Sequence, residues 1–168
     1  MYEKNFQPKR FSPEAFELCK TREKERLNYF LKDFLEEEGK KFDLLLCIDV
    51  FEHIDDYLGF IIGLKDKSKY KIFHIPLDVS IQSVFRETPI MKARKETGHL
   101  HYFTKPTAIE TLKYCGYTIK DSFYTRGSIE RGSGTLLNKL GRIPRKVLCK
   151  INQDFTVKLM GGFSLMIL

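Results

Sequence analysis

The stretch Phe42-Asp-Leu-Leu-Leu-Cys-Ile-Asp-Val-Phe-Glu-His53 decides the reading of this 168-residue chain. An almost unbroken apolar run ends abruptly in Asp49 and then in the pair Glu52-His53. A short run of this kind reads as a buried parallel strand, and the polar residues at its carboxyl end fall where open α/β sheets bind their ligands. Asp55 and Asp56 can then cap a helix through Leu58, Ile61 and Ile62. Tyr70-Lys-Ile-Phe-His-Ile-Pro-Leu-Asp78 gives a second apolar strand. Strand, helix and strand in so few residues make one right-handed crossover unit.

Outward from this unit the pattern continues. Gly98-His-Leu-His-Tyr-Phe-Thr104 leads into a helix over Lys105–Cys115, with Thr104 as cap, Pro106 in the first turn and Gly116 past the end. Strands are expected at Tyr117–Tyr124 and Phe163–Leu168. A small helix is expected near Leu136–Leu140, with basic Arg142–Lys150 after it and Phe155–Leu159 continuing toward the last strand. Upstream, Ser12-Pro13-Glu14 opens a helix, Leu27–Asp33 reads as a short strand, and Glu36–Lys41 as a charged connector. Asp78–Gly98 is a long basic insertion with one short helix around Ile81–Arg86, and a glycine-rich turn is expected from Gly127 to Gly134. A connection as long as Asp78–Gly98 in a compact domain is often a lid.

The order FDLLLCIDVFEHI, a Pro76-Leu77-Asp78 strand end, GHLHYFT before a helix and Gly116-Tyr-Thr-Ile119 after it resembles class I S-adenosylmethionine-dependent methyltransferases. The closing GGFSLMIL is similar to the last hairpin strand of that fold, and the helix at Ser12–Cys19 to the one after its second strand. The resemblance covers about Phe11 to Leu168 and implies an α/β, Rossmann-like class I methyltransferase sheet. One departure is large. The family's opening strand and glycine-rich turn have no counterpart, since no G-x-G cluster precedes Gly39, and Arg10 stands where the ribose-binding acid is expected. The expected sheet is therefore incomplete in its N-terminal half, as if the first two strands were missing.

The resemblance also implies site residues. Asp33 corresponds to an acid that accepts a hydrogen bond from the adenine amino group, with Phe34 beside the ring; the alternative is an Asp capping a turn. Asp49 and Val50 fall where cofactor and methyl acceptor meet, unless Asp49 only caps the next turn. Glu52 and His53 are adjacent, so one is expected to face the crevice and the other to anchor the loop; His53 suits a base, and a helix-start pair is the alternative. His99 and His101 alternate around Leu100 and are expected on one side of an extended segment, His99 with a substrate-side or a structural role. Two imidazoles without a third ligand at a recognisable spacing give no expectation of a metal. His74, between Phe73 and Ile75, reads as a satisfied core histidine.

Composition agrees with one domain over residues 1–168: 42% of residues are hydrophobic and 13% aromatic, enough for an ordinary core. No run approaches about 18 apolar residues and the first residues lack a signal-peptide pattern, so a soluble, cytoplasmic protein is expected. Cys19, Cys47, Cys115 and Cys149 lie far apart, which favours free thiols, mostly buried, over disulfides or zinc ligands. Residues 1–84 carry a net charge of −2 and residues 85–168 one of +9. The basic clusters (Arg86, Lys92, Arg94 and Lys95; Arg142, Arg145 and Lys146) lack a recognition motif and read as solvated surface rather than a nucleic-acid site.

These readings lead to a methyltransferase using S-adenosylmethionine, its acceptor a small molecule or macromolecule that the residues do not identify. An inactive remnant, and a non-enzymatic module pairing its open sheet edge with a partner or a second copy, are the competing expectations.

Overall fold

The computed structural model describes residues 13–37, 39, 41–126 and 136–168, with 136–143 described as backbone alone. By contact the chain divides into two units, Met1–Gly39 and Lys40–Leu168. In the first, Pro13–Lys20 forms helix α1. The expected cap Ser12, like Arg10 and the turn Gly127–Gly134, lies outside the described residues.

The expected strand at Leu27–Asp33 does not form. Lys24 and Leu27 exchange backbone hydrogen bonds of 3.0 and 2.9 Å in an isolated bridge, and the chain continues without regular structure. Leu27, Phe30 and Leu31 are exposed. A strand exists only by pairing, and here the backbone is served locally instead, the Tyr29 N–H donating to the Glu23 carboxylate at 3.2 Å.

The second unit holds a four-stranded mixed sheet. β1 (Phe42–Ile48) is followed by the 3-10 turn Phe51–His53, α2 (Tyr57–Gly63) and β2 (Ser68–Leu77). β1 and β2 pair in parallel, with Leu46 opposite Ile72 and Ile48 opposite His74. Asp56 caps α2 through its side chain, which accepts from the Gly59 backbone N–H at 2.9 Å. The basic insertion is helical: α3 (Ile81–Arg86), α4 (Thr88–Lys92) and a π-helical turn over Ala93–Thr97 that closes at Gly98 with φ 77°. Ser80 and Ser83 make a reciprocal capping box on α3.

α5 (Lys105–Tyr114) starts at a second such box, Thr104 with Thr107. β3 is shorter than expected, Ser122–Thr125. Two helices, α6 (Leu136–Ile151) and α7 (Gln153–Met160), replace the expected small helix and basic connector. β4 (Phe163–Ile167) lies between β2 and β3 and is antiparallel to both, giving the order β1-β2-β4-β3.

Side chains alternate across a strand, so the sheet has two unequal faces. Leu45, Cys47, Phe73, Ile75, Leu77, Phe163, Leu165 and Ile167 are buried on one face, and Phe51, Ile61, Leu64, Phe103, Ala108 and Leu112 are core residues from the turns and helices. Phe51 meets Phe73 and Phe103 edge-on, at centroid distances of 6.2 and 5.4 Å. The Tyr117 hydroxyl donates to the Ile61 carbonyl at 2.7 Å, tying the chain after α5 to α2. The other face keeps Leu44, Leu46 and Ile48 of β1 exposed, together with Tyr70 and Phe123.

The apolar run thus marks the strand correctly, but β1 is not buried on both faces. It lies at one end of the strand order that the described residues give. All four cysteines are free, with Cys47, Cys115 and Cys149 buried. Burial pushes the Cys47 thiol up to about 12, so it behaves as an apolar side chain.

Two expectations test this packing. Leu46 is 60% exposed, so Leu46→Ser shifts the urea unfolding free energy by no more than about 0.5 kcal/mol, whereas Ile75→Ala in the same sheet costs about 2–5 kcal/mol. Gly161, between α7 and β4, has φ 61° and ψ −166°. A Cβ there would stand 2.6 Å from the Ser80 Oγ. Gly161→Ala therefore lowers stability by about 2 kcal/mol in the same assay.

Candidate functional site

Parallel pairing sets the carboxyl ends of β1 and β2 side by side, and the chemistry-bearing side chains collect there. The chain leaves β1 through Asp49, whose φ of 49° is a left-handed conformation that Asp tolerates better than most residues. Its backbone N–H still donates to the His74 carbonyl at 3.1 Å, so the ladder runs one residue past the strand. The Asp49 carboxylate lies 2.6 Å from His74 Nδ1, and His74 Nε2 lies 2.8 Å from the Thr125 hydroxyl. A polar bridge therefore links the end of β1 through β2 to β3. Both nitrogens of His74 are satisfied, as expected, but the residue is half-buried on the more exposed face of the sheet, opposite Ile48, rather than in the core.

The next turn carries Glu52 and His53. Phe51 anchors the turn in the core, and Glu52 is completely buried with it. The Glu52 backbone carbonyl accepts from the N–H groups of Leu100 and His101, at 2.7 and 3.1 Å, which pins the GHLHYFT segment against this turn. Both carboxylate oxygens of Glu52 are buried without a hydrogen-bond partner. The nearest opposing group is His53 Nε2, 3.8 Å from Oε1. Adjacency in sequence predicts that the pair points to opposite sides; instead the His53 imidazole turns back toward the carboxyl group, which the tight 3-10 turn and two long side chains allow.

Across the crevice His99 stands edge-on to His53, with ring centroids 4.9 Å apart. Its Nδ1 lies 2.6 Å from the Asp78 carboxylate, at the end of β2. His101 goes elsewhere: its Nε2 donates to the Ile54 carbonyl at 2.9 Å and its ring lies 4.2 Å from that of Tyr57. The two histidines expected on one side therefore serve different partners. The segment between them and Thr104 is not a strand, so strict alternation does not apply.

Burial pushes the Glu52 carboxyl up to about 7, against the lowering effects of its own backbone N–H and of His99, with neighbouring Asp49 and Asp78 adding to the rise. The hydrogen bond to Asp78 raises the His99 pKa against the opposing effect of burial. Ligand atoms of Glu52, His53 and His99 all lie within 4.8 Å of one another, close enough for one cation to gather. Sequence reasoning treats Asp78 only as a strand end and misses its place in the site. The signal that could have found it is the one that found Asp49: an acid at the carboxyl end of the neighbouring parallel strand. Directly after it, Val79, Ser80, Val84, Phe85, Tyr124 and Val157 line a mostly apolar cavity of about 840 Å³.

Asp33 and Phe34 belong to the first unit. The Asp33 carboxylate accepts from the Leu35 backbone N–H at 2.9 Å, the turn-capping arrangement that is the alternative to an adenine contact. Val50, half-buried, precedes the 3-10 turn.

Solved structures resemble this arrangement. An S-adenosylmethionine-dependent methyltransferase from Archaeoglobus fulgidus superposes with a TM-score of 0.56 over 94% of this chain and 72% of its own, at 15% identity. A "putative methyltransferase" from Bacillus halodurans gives 0.53 over 91% and 75%, at 14% identity. No protein-family model and no curated protein matches the sequence. The chain has the class I methyltransferase fold. Among the described residues no helix is long and apolar enough to cross a membrane.

Glu52 supplies a pH expectation. Its carboxyl holds a proton more tightly in the folded chain than in the unfolded one, where the value is 4.5. Its contribution to stability is therefore full at acid pH and is lost as pH rises toward 7. With a chelator present, the wild type should lose about 3 kcal/mol relative to Glu52→Gln between pH 4.5 and 8. A pH-independent difference in urea midpoints would contradict this.

Proposed function

We propose that this chain acts as an S-adenosylmethionine-dependent methyltransferase, with the methyl acceptor received at the carboxyl ends of β1 and β2. The observation that carries the reading is the convergence of Glu52, His53, His99 and Asp78 at the ligand-binding end of a methyltransferase-type sheet. Similarity to enzymes described as methyltransferases supports the choice of reaction.

The described residues fit the cofactor in part. We assign Asp49 and Val50, at the end of β1, to the place where it would meet the acceptor. A glycine-rich turn after a strand, the usual cradle for the methionine part, is absent among the described residues. Of the positive-φ glycines, Gly98, Gly116 and Gly161 close helices, Gly162 precedes β4 and Gly39 lies before β1 rather than after a strand. The reading therefore assigns to the described residues the acceptor-side wall of the pocket.

Bound there, the cofactor would supply an electrophilic methyl on a sulfonium. The leaving group is a neutral thioether, so alignment of the acceptor contributes most of the rate. His53 and His99 supply the polar contacts that orient the acceptor, and Asp78 keeps the His99 ring in place. The apolar cavity after Asp78 gives room for the acceptor's body. Helices α3 and α4 stand where the sequence suggests a lid.

Calorimetric titration of the full chain with S-adenosylmethionine and S-adenosylhomocysteine checks this reading. One site per chain is expected, weakened at least about tenfold by Asp49→Ala and changed less than about twofold by His99→Ala. Absence of heat with both ligands rejects the reading for this chain. An obligate oligomer in size-exclusion chromatography, together with that absence, would favour an interaction module using the open edge of β1.

A further inference from the structure

The buried carboxylate of Glu52 lacks hydrogen-bond donors yet sits beside two imidazoles, and that combination has a direct chemical meaning. We propose that Glu52, His53 and His99 bind a first-row divalent cation of the zinc class, with Asp78 holding His99 from behind.

The donor atoms already lie within 4.8 Å of one another, and Glu52 Oε1 and His53 Nε2 are 3.8 Å apart. Ligands about 2.0–2.2 Å from a tetrahedral zinc ion stand about 3.3–3.6 Å from each other. Small side-chain rotations therefore suffice to close the site. The backbone is already set: the Glu52 carbonyl accepts from Leu100 and His101, so the turn carrying two ligands and the segment carrying the third are fixed to each other.

The outer contacts match as well. A histidine that ligates a metal through one nitrogen characteristically donates from the other to a carboxylate, which fixes tautomer and ring orientation. Asp78 Oδ2 occupies that place, 2.6 Å from His99 Nδ1, and the proposal assigns the other nitrogen, Nε2, to the cation. A cation would also satisfy the two Glu52 oxygens that the protein leaves unpaired.

Two nitrogens and one carboxylate select zinc, cobalt, iron or manganese over magnesium and calcium, which prefer all-oxygen cages. Three protein ligands leave at least one position open for exchangeable water or an acceptor oxygen, as in catalytic rather than structural sites. The proposal stands without the methyl-transfer reading, since no cofactor takes part in binding the ion.

The test uses the full chain, stripped with chelator and titrated with Zn²⁺ by calorimetry and with Co²⁺ by visible absorption. One ion per chain is expected, with a Kd below about 10 μM and cobalt bands of a low-symmetry nitrogen and oxygen site without thiolate charge transfer. His99→Ala and Glu52→Gln should each weaken binding at least about tenfold, and Cys19→Ser should not change it. Should either substitution fail to fold by circular dichroism, His53→Ala, at a part-exposed position, decides with the same tenfold criterion. Absence of saturable binding, binding unaffected by these substitutions, or equal affinity for Mg²⁺ would overturn the proposal. S-adenosylmethionine is left out throughout, so failure here and failure of the methyl-transfer reading are separate results.

Discussion

The parallel ladder between β1 and β2 is the constraint on which the rest of the second unit depends. With Ile48 opposite His74, both strands end at the same edge of the sheet, and the residues after them, Asp49 through His53 on one side and Asp78 on the other, must share one crevice. Antiparallel pairing would send the two ends to opposite edges. The helix α2 that parallel pairing requires also buries Ile61, and the neighbouring Leu64 completes the core on that face. One choice of strand direction therefore gives both the core and the site.

A second constraint brings in a distant segment. The carbonyl of Glu52 takes two backbone N–H groups, from Leu100 and His101, and this pair of bonds carries His99 to the crevice. Gly98 makes the approach possible by ending the π-helical turn in a left-handed conformation. The outcome is electrostatically demanding. A buried carboxylate without hydrogen bonds costs several kcal/mol unless it is protonated or meets a cation. The raised pKa of Glu52 and its grouping with His53 and His99 express the same unmet demand. Such demands concentrate where proteins bind ligands rather than where they only fold.

The sheet itself is uneven in a way that comes from its topology. β4 fills the position between β2 and β3, so among the described residues β1 and β3 are the two edges, and β1 keeps Leu44, Leu46 and Ile48 exposed on one face. Edge strands with apolar faces favour pairing with further chain. This is the physical content of the expectation that the open edge serves association. The similarity to methyltransferases, at a TM-score of 0.56, rests on the arrangement of the elements and not on sequence, which is 15% identical.

The sequence by itself determined the strands Phe42–Ile48 and Phe163–Ile167, the helices begun by Asp56 and Thr104, and the polar end of β1, because these depend on local patterns: apolar runs, side-chain caps and the residues that stop an element. Local pattern misreads Leu27–Asp33 as a strand, since a strand needs a partner that no nearby residue announces. It also places His99 with His101, since alternation is a property of extended chain and that segment is a loop. Only the tertiary structure decided that His99 meets Asp78, that His53 turns back to Glu52 and that the Glu52 carboxylate has no donor. Each of these joins residues brought together by long-range backbone pairing or by a turn whose geometry the core imposes, and the distances that create the site exist only after the parallel ladder has formed.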